Sequence, residues 1–284
     1  MASSDQGTGG VAHLPGRWLD ARSGCEIDHS DLLQRISAKK VVMLGETHDR
    51  FDVHRWQLHV AAGLHALRPN MVMGFEMFPR RVQPALDAWV AGKLAPQAFL
   101  EQAEWTAVWN FPPDLYWPLF HFCRQFKVPM LALNCRRALV SEVGKLGWAA
   151  IPEEERDGVT PARDATPAYR QYLLDILNRM RRREAGYATS PEFDRFVRAQ
   201  QTWDRAFACR IAEVLKADRA PLVVGIIGRG HLEFGHGTPD QLSDLGVEDW
   251  AVLLPSDADR FDPASMTGIA DAIFRLDTHD AAAL

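Results

Sequence analysis

Four side chains of the types found in metal and acid–base sites follow or end short apolar runs of this sequence. Glu46 and His48 belong to the segment GETHD at 45–49, Glu76 follows the run Met71–Phe75, and His231 closes the segment GRGH. A carboxylate that ends an apolar run is expected to be buried, which costs several kcal/mol unless the charge is paired. These four residues are therefore predicted to form one site.

Two kinds of chemistry suit this set of residues. Carboxylates and neutral imidazoles together hold Zn²⁺, Mn²⁺ or Fe²⁺. The same groups can perform general acid–base catalysis without a metal ion. The sequence leaves both alternatives open, and Glu46, His48, Glu76 and His231 are candidate metal ligands and candidate catalytic residues.

Further polar residues are placed where they could contact a ligand. Asn134 and Arg136 follow a third apolar run, at 128–133. Gln200, Trp203 and Asp204 are spaced i, i+3 and i+4, so they share one face of a helix. An amide, an indole and a carboxylate on one face form either a ligand-binding surface or a half-solvated helix anchored by its tryptophan.

Five apolar runs supply the elements that must position these residues. Each is long enough for a buried strand and too short for a buried helix, and the runs lie at 41–44, 71–75, 128–133, 221–227 and 250–254. Helical patterns at 53–67, 82–90 and 114–126 alternate with them. This alternation predicts an α/β fold with a mostly parallel sheet flanked by helices. Ligands bind such sheets beyond the carboxyl ends of the strands, where the candidate residues lie.

The domain organisation is predicted from where the pattern changes. Residues 1–30 are interpreted as a flexible N-terminal segment, and 31–284 as a single α/β domain. Between about 150 and 218 no strand is expected. That stretch instead holds helical patterns at about 166–183 and 191–217, which predict a helical insertion or subdomain near the edge or mouth of the sheet.

Composition narrows the class of protein. The 284 residues are 47% hydrophobic and 24% charged, which excludes a disordered chain. Lys+Arg 32 against Asp+Glu 37 gives a net charge of −5, which argues against a general nucleic-acid partner. The four cysteines form no C-x-x-C pair and are predicted to be free.

Location is predicted from the same sequence. No apolar stretch reaches the roughly 18 residues that a membrane span needs. No signal peptide or lipobox is visible, so we expect a cytoplasmic protein as the sequence is given. A periplasmic or membrane-anchored one is expected if a leader has been removed.

Taken in order, the motifs resemble one family, that of the ChaN haem-binding uptake proteins of the Tiki, TraB and erythromycin-esterase superfamily. The resemblance spans about 40–255 and rests on these matches: Leu44 to Asp49, His54, Gln57, Gly74 to Phe78, Asn134, Arg136, Gln200, Trp203, Asp204, Gly228 to His231, and Gly237 to Pro239. It implies an α/β core with a helical subdomain and a role in bacterial haem or iron uptake.

The resemblance also implies how haem is held. In this family the haems lie face to face across a homodimer, one tyrosine ligates each iron, and a histidine and a lysine of the partner chain hold the propionates. Tyrosinate is a chemically reasonable ligand for ferric haem. Tyr169 and Tyr172, in the helical insertion, are the candidate ligands here, and Asn134, Arg136, Gln200, Trp203 and Asp204 are candidate haem contacts.

The wider superfamily implies an alternative function, because it includes hydrolases that use glutamates and histidines of the same motifs. In a metal-dependent esterase or peptidase, Glu46 or Glu76 would act as the base. His48 and His231 would then be metal ligands or electrostatic stabilisers.

Overall fold

The structure is a computed structural model that describes residues 10–181, 183–184 and 186–277. Its strands are β1 (Val11–Ala12), β2 (Trp18–Asp20), β3 (Glu26–Ile27), β4 (Val41–Glu46), β5 (Met71–Pro79), β6 (Met130–Asn134), β7 (Leu222–Gly228), β8 (Trp250–Ser256), β9 (Arg260–Phe261) and β10 (Ala272–Arg275). Its helices are α1 (His29–Ser37), α2 (Phe51–Leu67), α3 (Gln83–Val90), α4 (Pro96–Gln102), α5 (Trp105–Val108), α6 (Trp117–Phe126), α7 (Arg137–Leu146), α8 (Pro167–Met180), α9 (Pro191–Val214), α10 (Thr238–Asp244) and α11 (Pro263–Met266).

Eight strands form one sheet in the order β3-β2-β10-β8-β4-β7-β5-β6. All neighbours from β10 to β6 are parallel, and only the pairs that involve β2 are antiparallel. The predicted α/β class with a mostly parallel sheet is confirmed. All five predicted runs are strands, since an apolar run of this length is buried on both faces of a parallel sheet.

Helices cover both faces of the sheet because side chains alternate along each strand. Val42 and Leu44 of β4 belong to the core shared with α1, α2, α3 and α6. Val41 and Met43 belong to the opposite core, which contains residues of α9 and α10. This double layer holds the carboxyl ends of β4, β5 and β7 at one edge of the sheet.

The prediction of a flexible segment over 1–30 is wrong for residues 10–30. Leu19 of β2 pairs with Ile273 of β10, which adds this segment to the sheet. The Trp18 side chain is buried, and its indole N–H donates a hydrogen bond to Nδ1 of His29 (3.0 Å). A strand of three residues is too short to show a periodic pattern, and its partner strand lies about 250 residues further along the chain. Residues 1–9 and 278–284 lie outside the described part of the chain.

The segment between β6 and β7 is helical, as predicted for 150–218, and its described residues contain no strand. Thr166 and Ser190 cap α8 and α9 by accepting hydrogen bonds from the backbone N–H groups of Tyr169 and Phe193. The insertion was expected near the edge or mouth of the sheet. Phe207 of α9 instead belongs to the core that covers one face of the sheet.

Two further features bear on the predicted chemistry and location. All four cysteines are free, and Cys25 alone among them is exposed. Within the described residues, no helix combines the length and apolar character that crossing a bilayer requires.

Candidate functional site

The candidate residues converge because β7 lies between β4 and β5 in the sheet. Glu46 ends β4 opposite Gly228 of β7, and Glu76 lies near the end of β5. The backbone N–H of Gly228 donates a hydrogen bond to Oε2 of Glu76 (2.5 Å). A 3₁₀ turn, Arg229–His231, follows at once and carries His231 to the same edge.

Glu46, His48 and Glu76 form a compact group. His48 Nδ1 donates to Oε1 of Glu46 (2.7 Å), and its Nε2 lies 3.6 Å from Oε1 of Glu76. One nitrogen or oxygen atom from each side chain lies within 4.8 Å of the others, which is a spacing that a metal ion could bridge. His231, the fourth predicted metal ligand, does not belong to this group.

Two side chains lie next to Glu46: Tyr116, which the sequence did not point to, and His54, which is one of the matched motif residues. The hydroxyl of Tyr116 donates to Oε1 of Glu46 (3.1 Å). Nδ1 of His54 lies 3.4 Å from Oε2, and that buried oxygen has no hydrogen-bond partner among the described residues. Tyr116 begins no motif and lies in an aromatic stretch, so only tertiary packing shows its role.

Electrostatics make His48 a cation at neutral pH. Burial lowers the pKa of His48, but the hydrogen bond to Glu46 and the charge of Glu76 outweigh burial and raise this pKa to about 9. Burial raises the pKa of Glu76, against the influence of His48 and His231. The protonated His48 ring therefore lies between two carboxylates, and a metal ion bound to this ring would have to displace its proton.

We expect this proton to make stability depend on pH. Because the pKa of His48 rises from 6.5 to about 9 on folding, its contribution to the free energy of unfolding is complete below pH 6.5 and is lost as the pH rises through about 9. After discounting for the one-third exposure of the ring (34%), we expect His48 to contribute about 1–2 kcal/mol to the free energy of unfolding. Urea unfolding of wild type and His48→Gln across this pH range measures this contribution.

The control is His121→Gln, because His121 is exposed on α6 and forms no ion pair with any described residue. It should keep the wild-type pH dependence, whereas His48→Gln should flatten it. Equal slopes for wild type and His48→Gln would contradict the assignment.

A second polar chain links α9 to the turn after β7. Asp204 is fully buried, and its Oδ1 accepts a hydrogen bond from Nδ1 of His231 (2.7 Å). The hydroxyl of Tyr169 donates to the other carboxylate oxygen (2.6 Å), and that of Thr238 lies 3.4 Å from Oδ1. Asp204 thus sits behind His231 and does not line the cavity described below.

Tyr169 and Tyr172, the predicted ligands of haem iron, both donate hydrogen bonds to carboxylates in this structure, and their ligation of haem stays a prediction. Both side chains are buried, and the hydroxyl of Tyr172 donates to Oε2 of Glu233 (2.8 Å). Burial and the adjacent carboxylates raise the pKa of each tyrosine above its ordinary value. Forming a tyrosinate would place two negative charges in contact in an apolar surrounding.

A cavity of about 400 Å³ opens beside these groups. It is lined by His48, Glu76, Met77, Pro79, Arg81, Ala107, Val108, Trp109, Phe111, Asn134, Cys135, Arg137, Gln200, Trp203, Phe207 and His231. Its size and its largely apolar wall are typical of a small-molecule site. Four aromatic side chains (Trp109, Phe111, Trp203 and Phe207) form much of that wall.

Some of the other predicted haem contacts line this cavity and others do not. Asn134, Gln200 and Trp203 line it, and the Asn134 side chain also donates to the backbone carbonyl of Glu76 (2.7 Å). The prediction for Arg136 is not supported, because its guanidinium pairs with Glu142 and Glu155 (3.0 and 3.1 Å). Its neighbour Arg137, the first residue of α7, lines the cavity instead.

Together these features define a small-molecule-binding α/β protein whose site lies at the carboxyl edge of a parallel sheet. The family model described as haem-binding uptake, Tiki superfamily, ChaN matches residues 32–242. The chain belongs to this family.

Solved structures show the same fold. The ChaN protein of Campylobacter jejuni, described by its cofacial haem binding, aligns with a TM-score of 0.70 at 20% identity, over 90% of this chain and 95% of that one. The type III effector HopBA1 aligns with a TM-score of 0.50 at 12% identity, over 87% and 91%. No curated protein matches the sequence significantly.

Proposed function

We propose that this protein binds haem in the cavity at the carboxyl edge of the sheet and acts in bacterial haem or iron uptake or handling. Its family membership makes haem the ligand to consider. The observation that carries the proposal is the cavity, which combines aromatic walls with imidazole and guanidinium groups.

The residues present suit a haem. A porphyrin is flat and apolar, and Trp109, Phe111, Trp203 and Phe207 offer an apolar aromatic surface. Bound haem would supply an iron centre that takes a protein side chain as axial ligand. None of the four tyrosines, all of which lie in described residues, lines the cavity, but two histidines do.

Arg137 is the residue we assign to a haem propionate. Arg137 is exposed, lines the cavity, and forms no ion pair with any described residue. Arg81 also lines the cavity, where Glu104 pairs with its guanidinium (2.5 Å). Guanidinium groups bind carboxylates through paired hydrogen bonds, so Arg137 would favour an anionic ligand, whereas Arg81 already has a carboxylate partner.

A homodimer is part of the proposal. The Campylobacter protein is described by cofacial haem binding. Two copies of this chain would bring two bound haems face to face in the same way. Light scattering before and after addition of hemin measures the molar mass of the protein. We expect this mass to double as haem binds.

Titration of the purified protein with hemin tests the function. We expect a saturable change in the Soret band, and weaker binding of hemin whose propionates are esterified. Arg137→Glu should weaken hemin binding about tenfold or more, because charge reversal repels a propionate. Arg55→Glu, an exposed change on α2 away from the cavity, is the matched control. A wild-type protein that shows no saturable change would exclude the proposal.

The alternative of a metal-dependent hydrolase is not favoured, because the family is described by haem binding. A divalent ion at Glu46, His48 and Glu76 stays a hypothesis that rests on their spacing alone.

A further inference from the structure

We propose that the chain has a second ligand site, which takes a small carboxylic acid with an apolar body. The site is a cavity of about 200 Å³ between α7, α9 and the loop at 159–164, called here the second cavity. It is separate from the larger cavity described above and independent of the proposed haem-binding function.

Helix α9 separates the two cavities. Gln200, Trp203 and Phe207 line the larger cavity, whereas Gln201 and Arg205 line the second one. An α-helix has 3.6 residues per turn, so these two sets of side chains lie on opposite faces of α9. No residue lines both cavities, and a ligand in one of them would not displace a ligand from the other.

Arg205 provides a nearly buried hydrogen-bond donor at the wall of the second cavity. Its side chain is only 7% exposed. Its Nε donates to Oγ1 of Thr160 (2.8 Å), and its Nη1 donates to Oδ2 of Asp244 (2.6 Å). Its Nη2 has no hydrogen-bond partner among the described residues. A donor of this kind favours a ligand that brings an acceptor.

Arg198 supplies a second cation at the same wall. Its Nε and Nη2 both donate to the backbone carbonyl of Gly144 (3.2 and 2.7 Å), and it forms no ion pair with any described residue. The acidic residue at this wall is Asp164, which is exposed, so solvent screens its charge. The two guanidinium groups therefore favour an anion, and their planar shape suits a carboxylate.

The rest of the wall sets the size and polarity of the ligand. Val143, Trp148 and Val159 are apolar, and the guanidinium of Arg156 lies over the Trp148 ring at 5.2 Å. A dry apolar cavity of about 150 Å³ is known to accept benzene. A volume of about 200 Å³ therefore has room for one ring and a carboxylate group.

The loop that closes the second cavity is held by buried amides. Gln201 and Gln241 both donate to the backbone carbonyl of Arg163 (2.5 and 3.0 Å). The Gln241 side chain also accepts a hydrogen bond from the backbone N–H of Arg163 (2.9 Å). A site whose walls are already fixed loses little conformational freedom on binding, which favours affinity.

Calorimetric titration with benzoate tests the proposal. We expect saturable binding at one site per chain. Benzamide keeps the ring but has no charge, and acetate keeps the charge but has no ring. Each should bind at least about tenfold more weakly than benzoate, because each lacks one of the two features that the cavity recognises.

Two variants locate the binding. Arg198→Gln should weaken benzoate binding about tenfold, the loss expected for one charge-assisted hydrogen bond. Ala162→Phe places a ring in the second cavity while both arginines stay, and it should abolish binding. Arg195→Gln is the matched control, because Arg195 is exposed on the same helix and does not line the cavity. Far-ultraviolet circular dichroism checks that each variant is folded.

Three results would overturn the proposal. The first is the absence of saturable benzoate binding by wild type. The second is binding that Arg198→Gln and Ala162→Phe both retain in full. The third is binding that Arg137→Glu abolishes and Arg198→Gln does not, which would assign benzoate to the larger cavity. Hemin affinity of Arg198→Gln should equal that of wild type, so a failure of haem binding leaves this test intact.

Discussion

Replacement of Asp204 by alanine is expected to lower the free energy of unfolding by about 3–5 kcal/mol, the usual loss when one partner of a buried charge pair is removed. The Asp204 carboxylate is fully buried and accepts hydrogen bonds from His231 and Tyr169. Without it, the partly buried imidazole of His231 and the buried phenol of Tyr169 would both lose their partner. Urea unfolding followed by tryptophan fluorescence measures the change.

Asp240→Ala provides the comparison. Asp240 lies in the first turn of α10 and pairs with Arg163 at 3.3 Å, but Arg163 is half exposed (52%). We expect a loss of less than about 1 kcal/mol, since exposed ion pairs contribute little. Equal losses for the two variants would show that Asp204 does not hold the site together. Asp204→Ala should also weaken hemin binding, because His231, which lines the cavity, loses the carboxylate that orients it.

Gly237→Ala is expected to cost about 3–5 kcal/mol, from backbone strain and steric overlap together. Gly237 has a φ of +61°, where side chains are rarely tolerated. An added Cβ would lie 2.6 Å from the backbone oxygen of His231 and 2.7 Å from Oδ1 of Asp204. The overlap would force the His231 turn and Asp204 apart, so stability and hemin affinity should fall together. Urea unfolding and hemin titration of one preparation measure both.

Gly268→Ala separates the two causes. Gly268 has a φ of +75°, yet an added Cβ would meet no atom within 4 Å. Its expected loss is the conformational cost alone, about 1–2 kcal/mol, with hemin affinity unchanged. The contrary result is a Gly237→Ala variant that loses no more stability than Gly268→Ala. In that case the close approach of Gly237 to His231 and Asp204 does not constrain residue 237.

The sheet was predictable because its strands are short apolar runs bounded by polar residues, glycine or proline. The run at 71–75 continues in the structure to Pro79, with a register irregularity between Phe75 and Pro79. The sequence placed the end of the run at Glu76, where polarity changes. Backbone pairing with β6 continues past that point to Pro79, and the Glu76 carboxylate accepts a hydrogen bond from the backbone N–H of Gly228.

The walls of the cavity were not predictable in the same way. Trp109 and Phe111 come from the segment after α5, which showed no motif. Arg137 lines the cavity and Arg136 does not, although the two are adjacent in sequence. Which neighbour faces the site depends on where α7 begins and which carboxylates lie nearby.

By itself, the sequence determined the parallel α/β core, the family, and the edge of the sheet at which glutamate and histidine residues gather. Strand position and side-chain chemistry are local properties, and parallel strands must end at a common edge. Only the tertiary structure decided that Tyr169 donates a hydrogen bond to Asp204, that His231 lies at the cavity wall, and that residues 18–20 join the sheet. Those outcomes depend on contacts between residues far apart in the chain, whose geometry arises only when helices and sheet pack together.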